Sequence, residues 1–145
     1  MMSASLRQAV ALRAVRASDF PCLRDLRNDM PLQKMLMAHP TSQDDTAVQS
    51  WIDRRTSDPH GAFRLITLGD KPVGFVQIVD IHRIDLYGRL GIAIASAYQG
   101  QGIGAAAMRE ALGMAANELK LRKILVEVRA DNLSAISLYR RLGFT

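Results

Sequence analysis

The sequence predicts a mixed α/β domain, in which a central mixed sheet with parallel fourth and fifth strands is flanked by helices. Three observations predict it. Apolar residues alternate or cluster in five short stretches, the period turns helical between them, and Ala97–Ala105 sets glycines at alternate positions between a strand and a long helix. Two strands joined by a helix are expected to be parallel neighbours, because a parallel pair needs a crossover connection. The expected order is β-α-α-β-β-β-α-β-α.

Residues 1–8 read as a loose leader, and Val10–Val15 alternates enough to form a strand. Ser18 or Asp19 can cap a helix running to about Asp29, with Pro21 in its first turn and Leu23, Leu26 and Met30 on one face. In the segment that follows, Met30, Met35 and Met37 suit either core packing or the lining of a substrate pocket. Thr41–Asp45 is a polar turn with good caps, Thr46–Thr56 a helix bearing Trp51 and Ile52, and Asp58–Gly61 its end. Ala62–Leu68 and Val73–Val79 are strands joined by Gly69-Asp70-Lys71-Pro72. Asp80–Gly88 is a polar loop, and Leu90–Ile94 the strand that feeds the glycines. From Ile103 to Leu119, Met108, Leu112, Ala115 and Leu119 recur at helical spacing. A last strand around Ile124–Val128 and a helix opened by Asn132 close the chain.

A length of 145 residues with 48% hydrophobic content defines one domain, 1–145, able to bury a core without staples. The single cysteine, Cys22, rules out a disulfide framework and a cysteine metal site; it reads as a buried, inert thiol. Three scattered histidines offer no ligand cluster, so no metal is expected. The net charge of +5 comes from 19 basic residues dispersed along the chain, which argues against nucleic acid and suits a polyanionic small ligand. Arginines interrupt the N-terminus and no apolar run approaches the ~20 residues of a membrane span, so the expectation is a soluble, cytoplasmic protein with no membrane partner.

The glycine loop admits three readings. It can be a turn without a ligand, or, through Gly100, Gly102 and Ala105, a dinucleotide fingerprint. Against the fingerprint, Ser96–Gln99 separate it from its strand and only one further strand follows. The third reading is an anion site. Glycines leave backbone N–H groups uncovered at the start of a helix whose dipole favours negative charge, and a pyrophosphate is the natural guest.

The hexapeptide Gln99-x-x-Gly102-x-Gly104 resembles the pyrophosphate signature of the GNAT superfamily of acyl-CoA-dependent N-acetyltransferases. The segment from Lys123 to Phe144 resembles the second half of that family, with a strand leading to Asn132, a helix carrying Ala135-Ile136-x-Leu138-Tyr139, and a closing Gly143-Phe144. The resemblance covers about residues 62–144 well. It implies a GNAT-like fold in which the fourth and fifth strands splay and the pantetheine arm of acetyl-CoA lies in the gap. It implies cofactor contacts from Ile92, Ala93, Ile94, Gln99, Gly100, Gln101, Gly102, Ile103, Gly104, Ala105 and Asn132. The family usually carries one or two more strands after Gly-Phe, and here the chain ends at Thr145. That leaves an open edge around Ile124–Val128, so either a partner chain, as in a homodimer, covers it or the chain is cut short.

Acetyl transfer to an amine needs a base for the ammonium proton, support for the oxyanion and a proton for the departing thiolate. The resemblance to the ribosomal-protein alanine N-acetyltransferase branch makes Glu127 the general base and Tyr139 the general acid. A solvated Glu127 paired with Arg129 or Lys123 is the plain alternative, and Asp80, His82 and Asp85 are a second set of base candidates. A backbone N–H at or near Ile92 would support the oxyanion. Arg27, Asn28, Met30 and His82 are expected on the substrate side, where the segment Arg27–Met37 resembles the polyamine and amino-sugar branches. The expected activity is direct acetyl transfer from acetyl-CoA to a primary amine in a ternary complex. The acceptor is a protein N-terminus, a polyamine or an amino sugar. A non-catalytic acyl-CoA-binding module and a purely structural interaction domain are the rivals.

Overall fold

The computed structural model describes residues 9–36 and 41–145; the expected leader and Met37 lie outside them. Strand β1 spans Val10–Arg13, and a short 3-10 turn at Ala17–Asp19 leads into α1, Phe20–Arg27. Helix α2 is Met30–Met35 and α3 is Asp45–Ser57. Three antiparallel strands follow: β2, Ala62–Leu68; β3, Lys71–His82; and β4, Tyr87–Ile94. Helix α4, Ile103–Asn117, crosses over to β5, Lys123–Val126, which pairs parallel with β4, and α5 is Leu133–Arg141. The strands lie in the order β1-β2-β3-β4-β5.

The two faces of the sheet carry separate cores because side chains alternate along each strand. On one face Ile66, Val76, Ile78, Leu90 and Ile94 pack against Ile103, Ala107, Met108, Ala111 and Met114 of α4. On the other, α1 and α3 cover Phe63, Leu65, Phe75 and Ala93 with Leu23, Leu26, Val48, Trp51 and Ile52. Trp51 meets Phe63 and Phe75 edge-on at 5.5 and 5.4 Å between ring centres, the geometry that ring quadrupoles favour.

Several boundaries depart from the sequence reading. The first helix stops at Arg27, because the Asn28 side chain turns to Gln43, donating to its carbonyl at 3.1 Å and accepting from its N–H at 2.7 Å. Asp29 then caps a separate helix, α2, by accepting from the Leu32 N–H at 3.1 Å. Asp19 makes no side-chain cap on α1; it binds Arg13, and it accepts from the Arg16 N–H that opens the 3-10 turn. Strand β3 continues past Val79 through a bulge, where Asp80 takes φ +53°, and pairing resumes at His82 and Tyr87, so the polar loop shrinks to Arg83–Leu86. Strand β5 ends at Val126, which puts Glu127 just beyond the strand expected to hold it.

Candidate active site

Strands β4 and β5 pair over only four residues, from Tyr87 with Lys123 to Leu90 with Val126. Beyond that point Gly91–Ile94 of β4 remains bonded to β3 alone. The Ala95 N–H donates to Val73 O, and an antiparallel ladder alternates, so Ala93 and Gly91 turn their backbone groups to β3. The groups of Ile92 and Ile94 therefore line the free edge. Gln99 takes one of them, its Nε2 donating to Ile94 O at 2.9 Å, and so fastens the glycine loop to the strand. Ala93, expected with its neighbours as a cofactor contact, has its side chain buried in the α1–α3 core and its backbone facing Phe75.

The loop is shaped by two left-handed glycines, Gly100 at φ +73° and Gly102 at φ +81°, the second at the N-cap of α4. A Cβ at Gly100 would meet nothing within 4 Å, and one at Gly104 would meet only Leu138 Cδ2 at 3.9 Å. The Ala106 N–H closes the first turn on Gly102 O at 3.2 Å, which leaves those of Ile103, Gly104 and Ala105 as the unpaired donors every helix start presents. The Ile103 side chain is buried, so only its backbone can serve a ligand.

A cleft of about 610 Å³ runs from this loop through the gap between the strands. On the side of the glycine loop it is lined by Ile92, Ile94, Gln99, Gly100, Gly104, Asn132, Leu138 and Tyr139. Asn132 caps α5, accepting from the Ala135 N–H at 3.3 Å. Gly143, at φ +96°, ends that helix: Gly143 N–H returns to Arg140 O and Phe144 N–H to Tyr139 O. The same turn lays Phe144 against Tyr139, 5.6 Å between ring centres. The closing Gly-Phe of the sequence thus anchors the tyrosine. Burial raises the Tyr139 phenol above its ordinary value, so it stays protonated at neutral pH.

On the opposite side, over the face of α1 and α2, the cleft is lined by Asp29, Pro31, Leu32, Met35, Leu36, Gln77, Val79, Arg89, Gly91 and Glu127. Glu127 Oε1 forms an ion pair with Arg89 Nη1 at 2.8 Å, so its partner is neither Arg129 nor Lys123. Arg129 is held instead by Asp131. Gln77 pairs with Gly91, and a Cβ on that glycine would stand 3.4 Å from Gln77 Nε2.

Four residues expected on the substrate side do not line this cleft. Arg27 stacks over Trp51 at 4.8 Å and donates to Gln33, with its guanidinium value lowered by burial. Asn28 ties α1 to Gln43. Met30 opens α2 outside the lining, whereas Met35, read first as a core residue and second as pocket lining, is exposed along the cleft. His82 stacks on Tyr87 at 5.2 Å, and its Nδ1 accepts from the Asp85 N–H at 3.0 Å. Arg89 and Gln77, which also line the cleft, were not singled out from the sequence, whereas Asp29 falls within the segment Arg27–Met37 expected on the substrate side. Gln77 carried a signal, as the one polar residue inside the apolar run Val73–Val79.

Cys22 lies away from the cleft, with its Sγ 3.7 Å from Pro72 O, and burial pushes its thiol up to about 11. Among the described residues there is no metal-binding cluster, and no helix is long and apolar enough to cross a membrane.

Residues 9–145 match the family described as the acetyltransferase (GNAT) domain, and the chain belongs to that family. It is an N-acetyltransferase whose acetyl donor is acetyl-CoA. Spermidine N(1)-acetyltransferase of Escherichia coli (strain K12) is 24% identical over 137 residues, covering 94% of this chain and 73% of that protein. N-alpha-acetyltransferase RimI of Mycobacterium tuberculosis (strain ATCC 25618 / H37Rv) is 33% identical over 103 residues, 70% of this chain and 63% of that one. The structure of spermidine N-acetyltransferase from Vibrio cholerae in complex with CoA and spermine superposes with a TM-score of 0.88 at 23% identity, covering 95% and 82% of the two chains.

Proposed function

We propose that the chain transfers acetyl directly from acetyl-CoA to a primary amine, both bound together, with Glu127 as base and Tyr139 as acid. One observation carries this reading: the sheet opens just after Leu90 and Val126, and Leu90, Glu127 and Val128 line the cleft so formed. The uncovered N–H groups of Gly102 to Ala105, with Gly100 and Gln101 beside them, hold the pyrophosphate. The free edge of β4 at Ile92 and Ile94 binds the pantetheine arm, and the Ile92 N–H faces the developing oxyanion. Asn132 orders the loop beneath.

Glu127, directly or through a water, takes the proton that the ammonium must lose before its nitrogen can attack the acetyl carbon. The new C–N bond forms, the C–S bond breaks, Tyr139 gives its phenolic proton to the departing sulfur, and the second proton that the attacking nitrogen must lose returns through solvent to the phenolate. Its raised pKa keeps that proton available at neutral pH. The outer edge of β5, Lys123–Val126, is the surface on which a second copy of the chain would pair.

Thiol release from acetyl-CoA across a panel of amines tests the reading. Glu127→Gln and Tyr139→Phe should each lower turnover by about 100-fold or more while coenzyme A still binds. Wild-type protein that binds coenzyme A yet releases no thiol with any amine would instead make this a binding module.

A further inference from the structure

The acceptor side of the cleft carries an ion pair of its own. Arg89 and Glu127 meet at 2.8 Å, each about half exposed, across the fork where the two strands part. That contact is the only ion pair of the Arg89 guanidinium among the described residues, so its N–H donors are left for a ligand. The same cleft is lined by Gln77 and by the apolar residues Leu32, Met35 and Leu36.

Granting acetyl transfer at this cleft, we infer that the acceptor is a free α-amino acid with an apolar side chain, its carboxylate held by Arg89. The match is one of charge order. A cation and an anion fixed side by side complement a molecule whose ammonium and carboxylate are separated by one carbon: the ammonium goes to Glu127 and the carboxylate to Arg89. A polyamine meets the opposite situation, because any second ammonium near the first lies against the guanidinium. The remaining acid of the lining, Asp29, is engaged in capping α2. The side chain of the amino acid rests on Leu32, Met35 and Leu36.

The test compares kcat/KM by thiol release for L-leucine, leucinamide, 3-methylbutylamine and spermidine. L-Leucine should exceed 3-methylbutylamine, which lacks only the carboxylate, by about tenfold or more. In Arg89→Gln that ratio should collapse toward one, and in Arg89→Lys it should partly persist. Spermidine as the best acceptor, or an unchanged ratio in Arg89→Gln, overturns the assignment while leaving acetyl transfer standing. Leucinamide outranking leucine overturns it in favour of a peptide N-terminus. No thiol release from any of the four overturns acetyl transfer itself, and this assignment with it.

Discussion

Leu90 and Val126 are the last residues at which β4 and β5 face each other as partners, so the sheet opens one residue before Glu127. The position of that last pair decides the chemistry. A sheet paired along its whole length would bury the edge of Ile92 and Ile94 and leave no room for a thioester arm between the strands.

The loop above the gap should be sensitive to bulk without being structurally fragile. Gly104 lines the cleft, and a Cβ there meets only Leu138 Cδ2 at 3.9 Å. Gly104→Val should therefore fold, with a Tm change of only a few degrees. Its branched side chain would cover the donors of the first turn of α4, so the KM for acetyl-CoA should rise about tenfold or more. Initial-rate kinetics with melting curves separate the two effects.

Tyr139 gives a pH prediction. The proton donor must be protonated, and burial holds its pKa above the ordinary 10. Its contribution to turnover should persist through neutral and mildly alkaline pH, and fade only above about pH 10. A kcat–pH profile measured against Tyr139→Phe checks this, with the difference between the two constant up to that limit.

In the N-terminal half Asp19 is 1% exposed and is held by Arg13 at 2.7 and 2.8 Å and by the Arg16 N–H at 2.7 Å. The Arg13 hydrogen bonds hold its carboxyl below the usual carboxylate value. A depressed folded pKa stabilises fully above the unfolded value of about 3.9, and that stability is lost as pH falls through the folded value. Asp19→Ala, which removes three charge-assisted hydrogen bonds from a partly exposed Arg13 and the Arg16 N–H, should cost about 1–3 kcal/mol at neutral pH. Its Tm should also fall less steeply than the wild type's in acid, as read by calorimetry between about pH 5 and 2.

Cys22 should be slow to react. With its thiol pushed up to about 11, it holds roughly 100-fold less thiolate at pH 8 than a free cysteine. Thiol-specific reagents should modify the folded protein correspondingly slowly, and Cys22→Ser should retain its kcat. Rapid labelling with loss of activity would contradict both.

Much of this was legible in the chain. The glycines of the α4 start, the Asn132 cap and the Gly143 turn are local solutions to backbone geometry, and each needs a particular residue type at a particular place. The five strands followed from alternation and apolar runs, and the parallel pairing of β4 with β5 from the helix between them. Arg89 and Gln77 were not legible as site residues, because a charged or polar residue on a strand reads as a solvated face until the neighbouring strand is seen to leave. Arg27 and Asn28 misled for the converse reason. Their polar groups are spent on Trp51, Gln33 and Gln43, contacts made across the fold that sequence spacing does not reveal.

Backbone amide shifts followed during titration with coenzyme A test the account most directly. The N–H signals of Gly100 to Ala105 and of Ile92 and Ile94 should move together and saturate at one affinity, while those of β1 and β2 stay in place. Movement confined to other parts of the chain, or none at concentrations that saturate turnover, would contradict a cosubstrate held between the mouth of α4 and the parted strands.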